Sequence, residues 1–179
     1  MIVRAAADAD VAAIAAIYGH HVLHSTGTFE ETPPSKAETA ARIAAVAALR
    51  LPYLVSVDDA GRVTGFAYAS AFRPRPAYRY TAEDSVYIHP DHMGRGLGKA
   101  LVGEVIAACE ALGVRQMIAV IGDSANAGSI GLHRSLGYED AGVGRGFGFK
   151  FGRWVDVVWM QKTLGPGSGA PPSGEGLAL

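Results

Sequence analysis

Asp84-Ser85-Val86-Tyr87-Ile88-His89-Pro90-Asp91-His92-Met93-Gly94-Arg95-Gly96-Leu97-Gly98-Lys99-Ala100-Leu101 is the stretch around which the rest of the chain is read. Val86, Tyr87 and Ile88 are β-formers, so it opens as a strand. Pro90 has no N–H to give a sheet ladder and ends that strand. Gly94, Gly96 and Gly98 follow at alternate positions, and Lys99-Ala100-Leu101-Val102 begins a helical pattern. A glycine-rich turn between strand and helix leaves backbone N–H groups unpaired and pointing outward. The helix adds its partial positive charge, which makes the turn an anion site, most naturally for phosphate.

Spacing narrows the kind of phosphate ligand. A Walker loop needs a glycine at position 93 and a hydroxyl after Gly98-Lys99, whereas the sequence has Met93 and Ala100. A dinucleotide fingerprint needs Gly-x-Gly-x-x-Gly near the start of a βαβ unit, and this run reads Gly-x-Gly-x-Gly in mid-chain. Both nucleotide readings fail, and an ordinary glycine-rich turn stands as the plain alternative.

Upstream, Ile2-Val3-Arg4 reads as a short strand. Asp8 or Asp10 is placed to cap a helix with Val11, Ile14, Ile17 and Tyr18 at helical spacing. His20, His21 and His24 lie near its end. His20 and His24 share a face, but no carboxylate or cysteine joins them at ligand spacing, so they read as solvated or core histidines and no metal site is assigned. Residues 25–34 form a turn-rich connection around Phe29. Ser35 and Glu38 form a capping box for a second helix, which ends before Pro52. Tyr53–Val57 and Val63–Phe72 read as antiparallel strands joined by a turn at Asp58–Gly61. In Arg73-Pro74-Arg75-Pro76-Ala77-Tyr78-Arg79-Tyr80 the prolines exclude regular structure. Two readings of its arginines stand: a solvated surface loop, or a grip on a carboxylate or phosphinate, whose two oxygens match a guanidinium.

Downstream, Ala100–Leu112 is predicted helical and stopped by Gly113. Met117–Ile121 is an apolar strand of the kind buried on both faces. Asn126–Leu136 forms another helix, with Asn126, Ser129, Ile130 and His133 on one face. Residues 138–150 hold four glycines and are expected to include a mobile or strained loop. Trp154–Thr163 is a last strand. Residues 165–179 are rich in Gly, Pro and Ser and are expected to form a flexible tail beyond a single domain of residues 1–164.

A chain of 179 residues that is 49% apolar has ample material for one core. A net charge of −1 and a pI near 6.6 give no electrostatic argument for a nucleic acid or an anionic membrane as partner. Cys109 is the only cysteine, so no internal disulfide forms, and its apolar helical setting marks a buried structural thiol. Arg4, Asp8 and Asp10 interrupt the first ten residues, no signal-peptide core is read there, and no apolar run is long enough to span a bilayer. A soluble, cytoplasmic protein is expected.

The glycine run resembles the acetyl-coenzyme A loop of the GNAT superfamily of N-acetyltransferases, Gln/Arg-x-x-Gly-x-Gly/Ala. It matches at Gly96 and Gly98, with Met93 where Gln or Arg is usual. The order of elements resembles that family too. Tyr80–Glu83 before Ser85–Pro90, Asn126 with Leu132–Tyr138, and Phe149–Val157 resemble its phosphinothricin and methionine sulfone N-acetyltransferase branch. The resemblance covers about residues 1–164. It implies an α/β acyl-CoA N-acyltransferase fold, with a mixed, mostly antiparallel central sheet flanked by helices. It also implies acetyl transfer from acetyl-CoA to the primary amine of a small amino acid or analogue, in a homodimer.

The same resemblance implies roles for particular residues. Val86, Tyr87 and Ile88 would run beside the pantetheine arm, and Gly94, Arg95, Gly96, Leu97, Gly98 and Lys99 would hold the pyrophosphate. Asn126 and Ser135 would contact the cofactor from the following helix. Glu83 matches the catalytic carboxylate, to take the proton of the incoming ammonium directly or through water, though by position alone it also reads as a strand-edge surface glutamate. His133 is the second candidate, as acid or base. Phe29, Arg73, Arg75, Tyr80 and Lys150 are the expected substrate contacts. Two other classes remain: a non-catalytic coenzyme A sensor, and a protein-modifying acetyltransferase. The arginines of residues 73–79 argue against the groove that a basic peptide would need.

Overall fold

The computed structural model describes all 179 residues. Seven strands, β1 (Ile2–Ala5), β2 (Tyr53–Val57), β3 (Val63–Ala71), β4 (Thr81–Ile88), β5 (Gln116–Gly122), β6 (Glu139–Lys150) and β7 (Arg153–Thr163), form one sheet in the order β1-β2-β3-β4-β5-β7-β6. Only β4 and β5 run parallel, and every other neighbour is antiparallel. The mixed, mostly antiparallel sheet expected from the sequence is what the chain builds.

Four helices cover it: α1 (Val11–His24) and α2 (Lys36–Ala48) on one face, α3 (Leu97–Ala111) and α4 (Ala127–Ser135) on the other. Strand alternation sorts the residues. Ala67, Ala69 and Ala82 turn their small side chains toward α3, so Leu101, Val102 and Val105 pack directly on the middle strands with no exposure. On the opposite face Ile14, Ile17 and Val22 of α1 meet Val55, Val57 and Phe66. Cys109 is wholly buried in the α3 core, and burial pushes its thiol up to about 12.

Local signals in the sequence are realised in part. Ser35 Oγ accepts the Glu38 N–H at 3.1 Å and caps α2. The return half of the box is not made, because the Glu38 carboxylate takes Arg42 at 2.6 Å instead. The four-glycine stretch is not a loop. It is the long edge strand β6, paired with β7, and it absorbs its extra residues as register shifts at Asp140/Gly142 and Gly144/Gly148. Residues 165–179 carry no helix or strand but lie on the domain. Leu177 is buried and its N–H donates to the Arg79 carbonyl, while Gly174 accepts the Tyr80 hydroxyl.

The functional geometry begins where β4 and β5 part. They pair from Thr81↔Gln116 to Asp84↔Ala119 and no further. Beyond that point Ser85–Ile88 pair only with β3, and Val120–Gly122 only with β7. Gly122 is at the wide end of this opening, where a Cβ would collide with the Thr26 carbonyl. Gly122→Ala is therefore expected to cost about 1–3 kcal/mol, typical of overpacking, read as a fall in Tm of roughly 2–12 °C at this chain length. An unchanged melting curve would show that the 25–28 segment does not sit against β5.

Candidate active site

A groove of about 920 Å3 runs into the opening between β4 and β5. Val86 and Ile88 form one wall, Gly94, Gly96, Leu97, Gly98 and Lys99 one end, and Asn126, Ser129 and Leu132 the side toward α4. His21 donates Nε2–H to the Ile88 carbonyl at 2.8 Å, so Ile88 turns its backbone polar groups away from β3 and toward the groove. Alternation along the strand gives Val86 the same orientation. Two N–H groups of β4 thus face an open edge, available to another extended chain.

The glycine turn has the form expected of an anion site, with its glycines doing different things. Gly94 and Gly96 have φ of +73° and +78°, a left-handed backbone that disfavours any side chain. Gly98 has an ordinary helical backbone, but a Cβ there would strike Leu132, so it is small because α3 and α4 cross at that point. The first helical N–H to find an acceptor is that of Ala100, on Gly96 O at 3.1 Å. The amides of residues 94–99 donate to no protein group, and they point into the groove end. Met93 lines the groove in the place of a longer polar side chain, and Arg95 is exposed outside it.

Glu83 lies on β4, one residue before the strands part. It is half-buried and its carboxylate accepts no hydrogen bond from the protein. Burial raises its pKa, the neighbouring Asp84 charge raises it further, and Arg73 opposes both. An unpaired carboxylate of raised pKa, on the same strand as the groove-lining Val86 and Ile88, is a proton acceptor in search of a donor.

Asp84 faces the other side of the sheet and is fully buried. Its Oδ2 meets His133 Nε2 at 2.9 Å, and its Oδ1 accepts the Tyr138 hydroxyl at 2.7 Å. His133 Nδ1 lies 2.8 Å from the Ser129 carbonyl, which only accepts, so that nitrogen carries a proton. Burial pulls the His133 pKa down, but the hydrogen bond and charge of Asp84 outweigh it and the net shift is upward. Both nitrogens that acid or base catalysis would use are therefore engaged.

The remaining expected residues divide. Asn126 lines the groove and also caps α4, accepting the Ser129 N–H at 3.1 Å. Phe29 lies over Gly122 and Gly148 beside the opening. Tyr87 points to the α1 face, edge-on to Tyr18 with centroids 4.9 Å apart. Ser135 is not in the groove; it is exposed and its Oγ donates to Leu132 O. Lys150 is buried, and its ammonium is taken by the Ser25 and Thr28 carbonyls at 2.8 and 2.7 Å, which fixes the 25–28 segment and leaves it no reach toward a ligand. Tyr80 gives its hydroxyl to Gly174. Arg73 stacks on Phe72 and is the arginine whose charge acts on Glu83, while Arg75 is exposed without a side-chain partner.

Sequence reasoning passed over His20, His21 and His24, which line the groove from the end of α1, and Arg153, which lines it while paired with Asp123. Their shared helical face was visible, but nothing in the sequence said which partner that face meets.

A family model for the Acetyltransferase (GNAT) domain matches residues 3–159. The chain belongs to the GNAT acetyltransferase family. It is 51% identical, over 95% of its length and 86% of the relative, to phosphinothricin N-acetyltransferase of Alcaligenes faecalis. It is 43% identical to L-methionine sulfoximine/L-methionine sulfone acetyltransferase of Pseudomonas paraeruginosa, over 94% of this chain and 98% of that one. The crystal structure of a GNAT superfamily phosphinothricin acetyltransferase from Sinorhizobium meliloti in complex with AcCoA superposes with a TM-score of 0.94 at 49% identity, covering 96% of this chain and 92% of that one. The groove, its free amides and the open β4 edge fit acetyl-CoA as the donor, and the chain is an acetyl-CoA-dependent N-acetyltransferase.

In this acetyltransferase the Asp84–His133 pair has a testable pH signature. The folded-state pKa of His133 is raised, so its contribution to stability is complete below the ordinary histidine value of about 6.5 and is lost as pH rises through the folded value. Asp84→Asn removes one charge of a buried pair and is expected to cost about 3–5 kcal/mol. Thermal melts across neutral to alkaline pH should show the wild-type loss and its disappearance in the variant. Parallel pH profiles for the two proteins would rule out an ion pair there.

Proposed function

We propose that this enzyme moves the acetyl group of acetyl-CoA to the primary amine of a small amino acid or analogue, of the phosphinothricin, methionine sulfone or methionine sulfoximine type. The observation that carries the reading is Glu83: a half-buried carboxylate without a protein partner, on β4 one residue before its pairing with β5 ends. The names and identities of the relatives support the substrate class.

The chemistry follows from the placement. The N–H groups of Gly94–Lys99 hold the pyrophosphate, and Val86 and Ile88 pair with the pantetheine arm as another strand would. A free β4 N–H, such as that of Ile88, faces the thioester oxygen as charge develops on it. The amine arrives protonated, Glu83 takes one proton directly or through water, nitrogen attacks the carbonyl carbon, the carbon–sulfur bond breaks with the electron pair leaving on sulfur, and a second proton of the nitrogen passes to that thiolate. Arg73 is the arginine whose charge acts on Glu83, and in this reading it receives the substrate carboxylate.

A homodimer belongs to the same reading, on altered grounds. Val155, Val157, Val158 and Met160 of the last strand are buried within the monomer, so they are not spare surface. The most exposed aromatic side chains are at the tip of the β6–β7 hairpin: Phe147 (65% exposed), Phe149 (58%), Phe151 (54%) and Trp154 (68%). Aromatic rings clustered in water mark an interface, and a second copy is the partner we assign. Neither a nucleic acid nor a membrane is a partner in this reading, and its compartment is the reducing cytoplasm. No helix is long and apolar enough to cross a membrane.

Thiol release with acetyl-CoA and a panel of free amino acids and their sulfone, sulfoximine and phosphinate analogues tests the activity. Glu83→Gln is expected to lower kcat by about 100- to 10,000-fold, with partial recovery at high pH where more amine is already neutral. Because burial raises the Glu83 pKa, the acid limb of the wild-type rate should lie above the ordinary glutamate value of about 4.3. Tight acetyl-CoA binding with no turnover of any amine would instead mark a coenzyme A sensor.

A further inference from the structure

His21 continues the stripe that α1 turns toward the sheet. Ile14, Tyr18 and His21 follow at i, i+4 and i+7, and the first two are buried among side chains of β2 and β3. A histidine fits such a stripe when its ring nitrogens find partners. Nε2 finds one in the Ile88 carbonyl at 2.8 Å. A carbonyl only accepts, so Nε2 carries the proton, and in the neutral ring Nδ1 is left with a lone pair. No buried side-chain nitrogen or oxygen of the protein lacks a partner, so Nδ1, which has none, is accessible, on a residue that lines the groove.

The bond to Ile88 changes what the β4 edge offers. His89 gives its N–H to the Thr64 carbonyl on β3, so by alternation Val86 and Ile88 direct their polar groups to the opening. Left alone, that edge would present two N–H donors and two carbonyl acceptors. His21 engages the Ile88 carbonyl and leaves that of Val86. The pantetheine arm carries two amide N–H groups and a hydroxyl, more donors than the Val86 carbonyl answers. A donor taken out of water and left unpaired costs binding free energy. The Nδ1 lone pair is an acceptor on the same ring that takes one away.

The surroundings favour the neutral ring. Burial lowers the His21 pKa, the Ile88 carbonyl opposes this, and the charge of His20 adds to the fall. His20 and His24 are on the same helix, and the Tyr87 ring lies 5.4 Å away on β4. His92, Lys99, Asp123 and Arg153 line the groove from the other elements. Asp123 and Arg153 are paired with each other, and burial raises the Tyr87 pKa so far that its hydroxyl is neutral.

We infer that His21 is a recognition residue for the acyl donor: locked by the Ile88 carbonyl, it presents Nδ1 as a hydrogen-bond acceptor to an N–H or O–H of the pantetheine arm. The inference rests on the reading that the arm pairs with Val86 and Ile88, and it adds to that pairing a contact from α1. A protonated His21 donates from both nitrogens, so acid removes the acceptor while keeping the bond to Ile88.

The test uses the full chain and calorimetry of two ligands: coenzyme A, and its nucleotide half, adenosine 3′-phosphate 5′-diphosphate, which lacks the arm. The ratio of the two affinities isolates the arm, because the phosphates meet the other groove histidines alike in both. His21→Ala should lower that ratio by about 2- to 10-fold, as loss of one hydrogen bond does, and leave the nucleotide affinity unchanged. His21→Gln, whose amide both donates and accepts, should restore most of it. In the wild type the ratio should fall as pH is taken below the ordinary histidine value of about 6.5, and in His21→Gln it should stay flat. Nitrogen NMR of the free protein should show His21 as the Nε2–H tautomer, with its Nδ1 resonance moving when coenzyme A binds. A ratio that His21→Ala leaves unchanged, or one that it lowers while the wild-type ratio ignores pH, overturns the role of His21 and leaves the strand pairing standing. Equal wild-type affinities for coenzyme A and for the nucleotide half would sink the strand pairing itself, and the inference with it.

Discussion

The buried Asp84 carboxylate, held by His133 from α4 and by Tyr138, sits at the last residue pair that β4 and β5 share. Its two hydrogen bonds tie β4 to α4 and to the segment just beyond it, at the depth where the strands stop pairing with each other. Past that point each strand keeps its other neighbour and loses this one, and the facing edges are left with polar backbone groups. Buried N–H and C=O groups need partners, so the opening is a standing demand for an extended ligand with amide groups of its own. The groove and the glycine turn at its end lie along that opening, and Glu83 is on β4 just before it.

The sheet also acts as a partition. The groove is lined by the glycine turn, α4 and the end of α1, along the Val86–Ile88 edge, whereas Glu83, Ser85 and Tyr68 look toward the sheet face that α1 and α2 cover. In the proposed reaction the two reactants meet through the gap between strands. This explains why the two neighbouring acids, Glu83 and Asp84, have opposite fates. Asp84 is saturated with donors and fixes structure, while Glu83 is left without one and is burdened by the nearby charge. A group kept in a state that disfavours its own ionisation is the kind of local destabilisation that function retains.

What the sequence disclosed followed from local rules. Pro90 and the alternating glycines marked the strand–turn–helix, Ser35 marked a helix start, and the spacing of Leu101, Val105 and Ala108 marked a buried face. What it withheld depended on partners distant in the chain. His133 is 49 residues from Asp84, and nothing near either says that they pair. Lys150 looked available because the carbonyls that accept its hydrogen bonds belong to residues 25 and 28. The glycines of β6 read as a loop because composition does not reveal bulges; a twelve-residue strand beside β7 accommodates them. Leu177 was one apolar residue in a polar tail, and only the fold supplies the core surface it covers.

The isolation of Cys109 has a practical meaning at the bench. Thiolate, not thiol, attacks disulfide reagents, and burial with a pKa near 12 leaves this side chain essentially without thiolate at working pH. The folded protein is therefore silent toward aromatic disulfide dyes. Every equivalent of colour in such an assay reports coenzyme A set free, and colour from the protein itself reports unfolding, so one reagent serves as both a product meter and a measure of intact fold.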